Sequence, residues 1–351
     1  MNYLDYFLTN FPDLAESMEK CSHHYDKYNL NPYHLEGSVF THTLLVHNEA
    51  GDLRDIQIET LLHDIGKMYA REEDHITKRV KFYGHEGISF FLSIEILAKM
   101  INDDIINKKE AESILHTISI HGKFYDLLDE DKIIDKRKLN LFNNDYSLFS
   151  LTMSQLVCDN NGRFSNNKKR IEFRDFFAKQ LNEINHNELL RSKVEEYKDK
   201  KAVFLVGLPC SGKTFSIAPG TPVSLILSRD DIITEMYPDK SYNEAFKLHN
   251  GDEVDKLFNL KFEEAIQQDI SFIVDKTNLS RKSRMSLINR IPKSYHKKAY
   301  IFATGFDSII ERNNIRKEEG KFINNDVYMQ MMKSFSIPTL EEFDSIEWIW
   351  S

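Results

Sequence analysis

Two groups of residues in this chain have the types and spacing that chemistry requires. Gly207-Leu-Pro-Cys-Ser-Gly-Lys-Thr214 sets glycines, a lysine and a hydroxyl where backbone N–H groups can converge on phosphate oxygens. In such a loop Gly207, Ser211 and Gly212 form the cradle, Lys213 reaches the terminal phosphates and Thr214 ligates Mg²⁺. The loop predicts binding of ATP, or another nucleoside triphosphate, with Mg²⁺ and transfer of its terminal phosphate. Upstream, His42, His63-Asp64, His85, His116, His121 and Asp159 offer imidazole and carboxylate without thiolate. That donor set suits Mn, Ni, Co, Fe or Mg rather than structural zinc, and Asp64 could bridge two ions.

Three later segments stand where a phosphate-transfer site needs polar groups. Leu227-Ser-Arg-Asp-Asp231 follows a strand-like run, so Asp230 faces the ligand crevice and can take the proton of an acceptor hydroxyl. Ile273-Val-Asp-Lys-Thr-Asn278 also ends a strand; Asp275 is expected to hold the Mg²⁺ water shell, with Thr277 and Asn278 positioning substrate. Arg312 and Arg316 fall on a predicted helix and suit a lid that neutralises charge in the transition state. Cys210, inside the loop, reads as a small space-filling residue, and His23, His24, His47 and His75 as ordinary core or surface histidines.

The elements that must position these groups change character along the chain. Up to about Tyr197 apolar residues recur at three- and four-residue spacing, predicting helices over Phe40–Ala50, Ile56–His63, Gly87–Met100, Glu110–His121 and Leu148–Asp159. No alternating strand is evident there, so an all-α domain is expected over 1–185, whose facing helices can project ligands into one site. The charged stretch Glu183–Lys201 reads as a surface helix or linker, placed at 186–200. From Ala202 the texture is strand-like: AVFLVG, then Val223–Leu227, Ser271–Val274 and Lys298–Phe302, separated by helical stretches. That alternation predicts an α/β domain with a parallel sheet over 201–351.

Composition bounds the reading. At 351 residues, two domains are the default, and 41% hydrophobic with 29% charged residues describes a globular chain. With no leader-like N-terminus and no apolar run of about 18 residues, a cytoplasmic protein without a membrane partner is expected. Three scattered cysteines imply no disulfide framework. The net charge of −9 argues against indiscriminate binding to long duplex nucleic acid, but leaves room for a local basic patch. Candidates are Lys276, Arg281, Lys282 and Arg284, or Lys168, Lys169 and Arg170.

GLPCSGKT, SRDD, VDKTNLSRKSR and RNNIRK together resemble the kinase module of phage-type polynucleotide 5′-kinases. The resemblance implies that Asp230 activates a 5′-hydroxyl and that Arg316 is the lid arginine. Those kinases carry an arginine three residues after that aspartate to hold the acceptor's 3′-phosphate; here the position is Ile233, leaving Arg229 or Arg281 for the task. The order H…HD…H…H…D over about residues 30–180 resembles the HD phosphohydrolase superfamily. Tyr33-His-Leu-Glu-Gly-Ser-Val-Phe-Thr-His-Thr43 is similar to the HD domains of bacterial tRNA nucleotidyltransferases, which remove 2′,3′-cyclic phosphates and phosphate monoesters. By that likeness His42, His63, Asp64 and Asp159 form a first metal site, and His85 with His121 (or His116) completes a second. Lys67 and Arg163 become phosphate contacts, Lys67 having the alternative of a helix C-terminal charge.

Joined, the two modules resemble the HD-Pnk end-healing enzymes. That implies a nucleic acid end as substrate, RNA before DNA, repaired ahead of a separate RNA ligase. A small-metabolite kinase fused to an HD nucleotidase, a signalling-nucleotide hydrolase and a nucleotide-binding scaffold are the alternatives. The oligomeric state stays open, with a homodimer one choice.

Overall fold

The computed structural model describes residues 2–122, 139, 141–165, 198–216, 225–317 and 321–351. Within them the chain forms two compact units, one of the described residues up to 165 with Met332–Ser334, the other of the remainder from 198 onward. Most of the expected helix or linker Glu183–Lys201, and the basic run Lys168–Arg170, lie outside the described residues.

The N-terminal unit is helical: α1 (Tyr3–Asn10), α2 (Pro12–Lys20), α3 (Val39–Asn48), α4 (Arg54–Leu62), α5 (Lys67–Ala70), α6 (His85–Asn102), α7 (Lys108–Ile120) and α8 (Tyr146–Asn161). Local chemistry sets its helix starts. The Ser38 side chain accepts the Thr41 N–H, Asn107 and Glu110 form a reciprocal capping box, and Asp145 caps α8. Helix α4 is enclosed nearly all round, burying Ile56, Ile58, Leu61 and Leu62 together with the polar Glu59 and Thr60. A short antiparallel hairpin, β1 (Glu72–Asp74) with β2 (Arg79–Lys81), interrupts the helices. It escaped the sequence reading because three-residue polar strands show no periodicity; Asp74 shapes it by accepting the Ile76 and Thr77 N–H groups.

Two glycines permit close approaches that bring chemistry together. A Cβ on Gly66, two residues after Asp64, would sit 2.3 Å from the His85 carbonyl oxygen. A Cβ on Gly162, just after α8, would sit 2.6 Å from the Val46 nitrogen of α3. Any larger residue would prise Asp64 from His85, or Asp159 from His42.

The C-terminal unit is an α/β layer around five parallel strands in the order β4-β5-β3-β6-β7. These are β3 (Lys200–Val206), β4 (Leu225–Ser228), β5 (Phe272–Asp275), β6 (Tyr295–Ala303) and β7 (Ser345–Trp350). Lys200 and Lys201, expected to close a helix or linker, instead open β3 and pair with Tyr295 and His296. Strand β7 was not foreseen. Around the sheet lie α9 (Lys213–Ser216), α10 (Arg229–Met236), α11 (Tyr242–Leu248), α12 (Gly251–Gln267), α13 (Arg281–Ile288), α14 (Phe306–Ile315) and α15 (Asn325–Lys333). Strands β4, β5 and β3 are neighbours, so their C-terminal ends set Asp230, Asp275 and the glycine loop side by side.

Arg284 does not belong to a surface patch. It is 0% exposed and forks onto Glu342 at 2.7 and 2.8 Å, while Nη1 donates to the Asn278, Leu279 and Ser336 carbonyls. Arg284→Met leaves Glu342 buried without its cation, and should destabilise the unit by about 3–5 kcal/mol in urea unfolding. Adding Glu342→Leu should recover part of that loss. An equal or larger loss in the double variant would show that the pair itself stabilises the fold.

Candidate functional sites

In the N-terminal unit five helices bring their polar residues together. His42 comes from α3, His63 and Asp64 follow α4, His85 begins α6, His121 follows α7 and Asp159 lies near the end of α8. Asp64 is the centre. Its Oδ2 lies 3.3 Å from His63 Nε2 and 3.5 Å from His42 Nε2, while Oδ1 lies 3.2 Å from His85 Nε2 and 3.6 Å from His121 Nε2. Asp159 Oδ1 is 3.0 Å from His42 Nε2. His116 stands apart, turned to the Leu141 carbonyl at 2.8 Å.

The histidine tautomers decide what this cluster can hold. His63, His85 and His121 each direct Nδ1 at the carbonyl three residues earlier, Thr60, Phe82 and Ile118, at 2.7–2.8 Å. A carbonyl only accepts, so Nδ1 carries the hydrogen and a neutral ring keeps its lone pair on Nε2. The Nε2 atoms of His85 and His121 are 3.1 Å apart, two lone pairs face to face unless a cation or proton lies between them. Apart from its 3.3 Å approach to Asp64, His63 Nε2 is buried without a hydrogen-bond partner among the described residues. Burial opposes charge on His63, yet Asp64 and Asp159 push it up to about 9, so positive charge is favoured where a divalent cation would sit. Asp64 is held well below the usual carboxylate range against its burial, by His63 and Lys67. His42, His63 and Asp64 form one group that could hold a divalent cation and Asp64, His85 and His121 another, with Asp159 3.0 Å from His42 Nε2.

The sequence reading missed the layer behind these ligands. Glu36 Oε1 is hydrogen-bonded to His34 Nδ1 at 2.8 Å and lies 2.9 Å from His42 Nδ1, a carboxylate set directly behind a candidate ligand ring. His23, read as ordinary, stacks on His34 with centroids 4.2 Å apart and accepts from the Lys67 ammonium at 3.2 Å. Lys67 opens α5 rather than closing a helix, and its ammonium is 2.6 Å from Asp64 Oδ2. Arg163 is ion-paired with Asp159. The available signal was the spacing of Glu36, two residues after His34 and six before His42. His47 and His75 are tied to the Gln57 carbonyl and the Tyr25 hydroxyl.

Glu59, one turn before His63, is wholly enclosed, and neither oxygen has a hydrogen-bond partner among the described residues. Burial pushes its carboxyl up from 4.5 to about 8. The folded chain then binds more protons than the unfolded one between those values, so this group makes stability fall as pH rises through that window and level off above it. Glu59→Gln should remove that slope, raising Tm at pH 8 by on the order of 5 °C while changing it little at pH 5. Parallel melting curves at the two pH values would contradict the assignment.

In the C-terminal unit the loop after β3 turns through positive φ at Cys210 (65°) and Gly212 (88°), directing successive N–H groups inward. Gly207 N–H donates to Thr277 O at 3.1 Å, and Ser211 O accepts from Thr304 at 2.9 Å. Lys213 sits within the loop, donating to Gly207 O at 2.9 Å and Leu208 O at 2.6 Å; Thr214 is exposed. Arg312 donates to Cys210 O and Arg316 Nη1 lies 3.1 Å from Cys210 Sγ, so both arginines expected to form a lid contact the loop. Burial raises Asp275, as do the Asp230 and Asp231 carboxylates, with Lys213 opposing. Burial and Asp230 also push the Tyr242 phenol up to about 12, marking Tyr242 as a neighbour of Asp230 that sequence reasoning overlooked.

Three expected substrate contacts have partners within the unit. The Asn278 amide donates to the Leu205, Val274 and Lys276 carbonyls, so it ties the ends of β3 and β5 together. Arg229 pairs with Asp255 at 3.3 Å and Arg281 with Glu341 at 2.6 Å. Ile233 is a core residue, 2% exposed.

A family model described as an AAA domain, AAA_33, matches residues 203–338. It spans the glycine loop, Asp230, Asp275, Arg312 and Arg316, and with the parallel sheet it makes this unit a P-loop domain of kinase-like type. Such a domain uses a nucleoside triphosphate with Mg²⁺. No curated protein matches the chain. Among the described residues no helix is long and apolar enough to cross a membrane.

Proposed function

We propose that this chain heals broken RNA ends, the P-loop unit phosphorylating a 5′-hydroxyl and the N-terminal unit hydrolysing a 2′,3′-cyclic phosphate and the resulting monoester. The observation that carries the reading is the Asp64 carboxylate shared between two histidine pairs, beside Lys67 and Arg163, in a chain that also holds Lys213, Asp230 and Arg316 around a phosphate loop. Divalent cations held there supply an activated water and a clamp on phosphate. The chain's own groups do the rest. Asp64 places both histidine pairs, Glu36 holds the His42 ring, and Lys67 offers a buried cation to the phosphate. Attack of water breaks one P–O bond to a ribose oxygen, and a second hydrolysis releases inorganic phosphate and a 2′,3′-diol. In the P-loop unit Asp230 takes the proton of the 5′-hydroxyl as its oxygen attacks the γ-phosphorus. Lys213, Arg312 and Arg316 neutralise the charge passing to the nucleoside diphosphate.

The test is one RNA with a 5′-hydroxyl and a 2′,3′-cyclic phosphate, given ATP, Mg²⁺ and Mn²⁺. Conversion of both ends supports the proposal; an untouched cyclic phosphate removes the phosphohydrolase half, and an unlabelled 5′ end removes the kinase half. Ile233 favours a second reading for the kinase, since a buried isoleucine cannot hold the acceptor's 3′-phosphate. On that reading the acceptor is a small metabolite hydroxyl, and free nucleosides or sugars would be phosphorylated while oligonucleotides are not.

A further inference from the structure

The histidine–aspartate cluster opens into a cavity of about 470 Å³. That is ample room for a drug-sized ligand and far more than a phosphate group needs. Its floor is charged: Asp64, His85, His121 and Asp159 line it together with Lys67 and Arg163. Its walls also include Tyr33 and Tyr83, which remain 45% and 70% exposed. Both tyrosines are held close to the cluster by their chain neighbours. Tyr33 N–H donates to Asn31 Oδ1 at 3.0 Å and precedes His34, which Glu36 fixes at 2.8 Å. Tyr83 follows Phe82, whose carbonyl takes the Nδ1 hydrogen of His85 at 2.8 Å. Two exposed tyrosines beside a floor that carries Lys67 and Arg163 with their carboxylate partners match a ligand with a phosphate end and a flat aromatic end.

We propose that this cavity is a nucleotide subsite, in which the terminal base of a single-stranded RNA stacks on Tyr33 and Tyr83 while its ribose phosphate reaches the floor between Lys67 and Arg163. The inference rests on the phosphohydrolase reading and adds what that reading lacks, a reason for choosing a nucleotide over any other phosphate ester. Stacking tolerates every base, so the subsite selects an unpaired end without selecting sequence.

The test uses the full chain with Mn²⁺ and two RNAs ending in 2′,3′-cyclic phosphate, one of which lacks its terminal base. The protein should hydrolyse the base-bearing end with kcat/KM higher by on the order of tenfold. In the double variant Tyr33→Ser, Tyr83→Ser the ratio between the ends should fall to near one, whereas Tyr33→Phe, Tyr83→Phe should keep it. Metal content per chain shows whether the serine variant still assembles the cluster. Equal hydrolysis of both ends by the unsubstituted protein, or an unchanged ratio in the serine variant, overturns the subsite and leaves the phosphohydrolase reading standing. Hydrolysis of neither end removes that reading and the subsite with it.

Discussion

Asp64→Asn is expected to lower hydrolysis of a 2′,3′-cyclic phosphate end by on the order of 10³-fold, several kcal/mol of barrier, and to reduce bound metal per chain. The argument is geometric. One oxygen of Asp64 faces His42 and His63, the other faces His85 and His121, all between 3.2 and 3.6 Å. Asparagine keeps the shape but turns one of those oxygens into a donor aimed at Nε2 atoms that belong to one histidine pair. It also leaves the Lys67 ammonium, now 2.6 Å from Oδ2, without its anion in a buried setting. The loss should therefore exceed that of Glu36→Gln, which loosens one ring without touching a shared ligand. Metal analysis beside the rate assay separates the two effects. Full metal content with full activity would sink the shared-ligand reading.

The parts of both sites visible in the sequence are those fixed by short-range geometry. The glycine loop needs two close glycines and a lysine within eight positions, so Gly207–Thr214 announces itself. His63-Asp64 does likewise at a helix end. What sequence could not show is where a polar group points once the chain has folded. His116 and His121 are both at the end of α7 and both buried, yet His116 is turned to the Leu141 carbonyl while His121 follows the last helical residue and meets His85. Arg284 and Asn278 carry surface-like chemistry but are enclosed and spent on Glu342 and on strand-end carbonyls. Glu36 owes its role to a loop folding back on α3, a contact with no periodic signature. Strand β7, Ser345-Ile-Glu-Trp-Ile-Trp350, is rich in strand-forming residues but shows no clean alternation of buried and exposed positions, so its period-two signal is weak.

Lys213→Ala should reduce phosphoryl transfer by on the order of 10³-fold, while the same preparation hydrolyses a 2′,3′-cyclic phosphate end at the unsubstituted rate. The ammonium is 9% exposed and held by two carbonyls of its own loop, at the place where inward N–H groups gather phosphate oxygens. Burial lowers it to about 8, against the pull of Asp275 and Asp230. As pH rises through that value the nucleotide-free protein loses the charge, so KM for the triphosphate should climb above pH 8 before kcat changes. Lys213→Arg should not rescue transfer, because a planar guanidinium cannot occupy a space closed by the Gly207 and Leu208 carbonyls. Transfer of labelled phosphate near the unsubstituted rate in the alanine variant would remove the loop from the mechanism. Loss of both activities together would instead tie the two units into one catalytic device, and the independence of the two sites would fall.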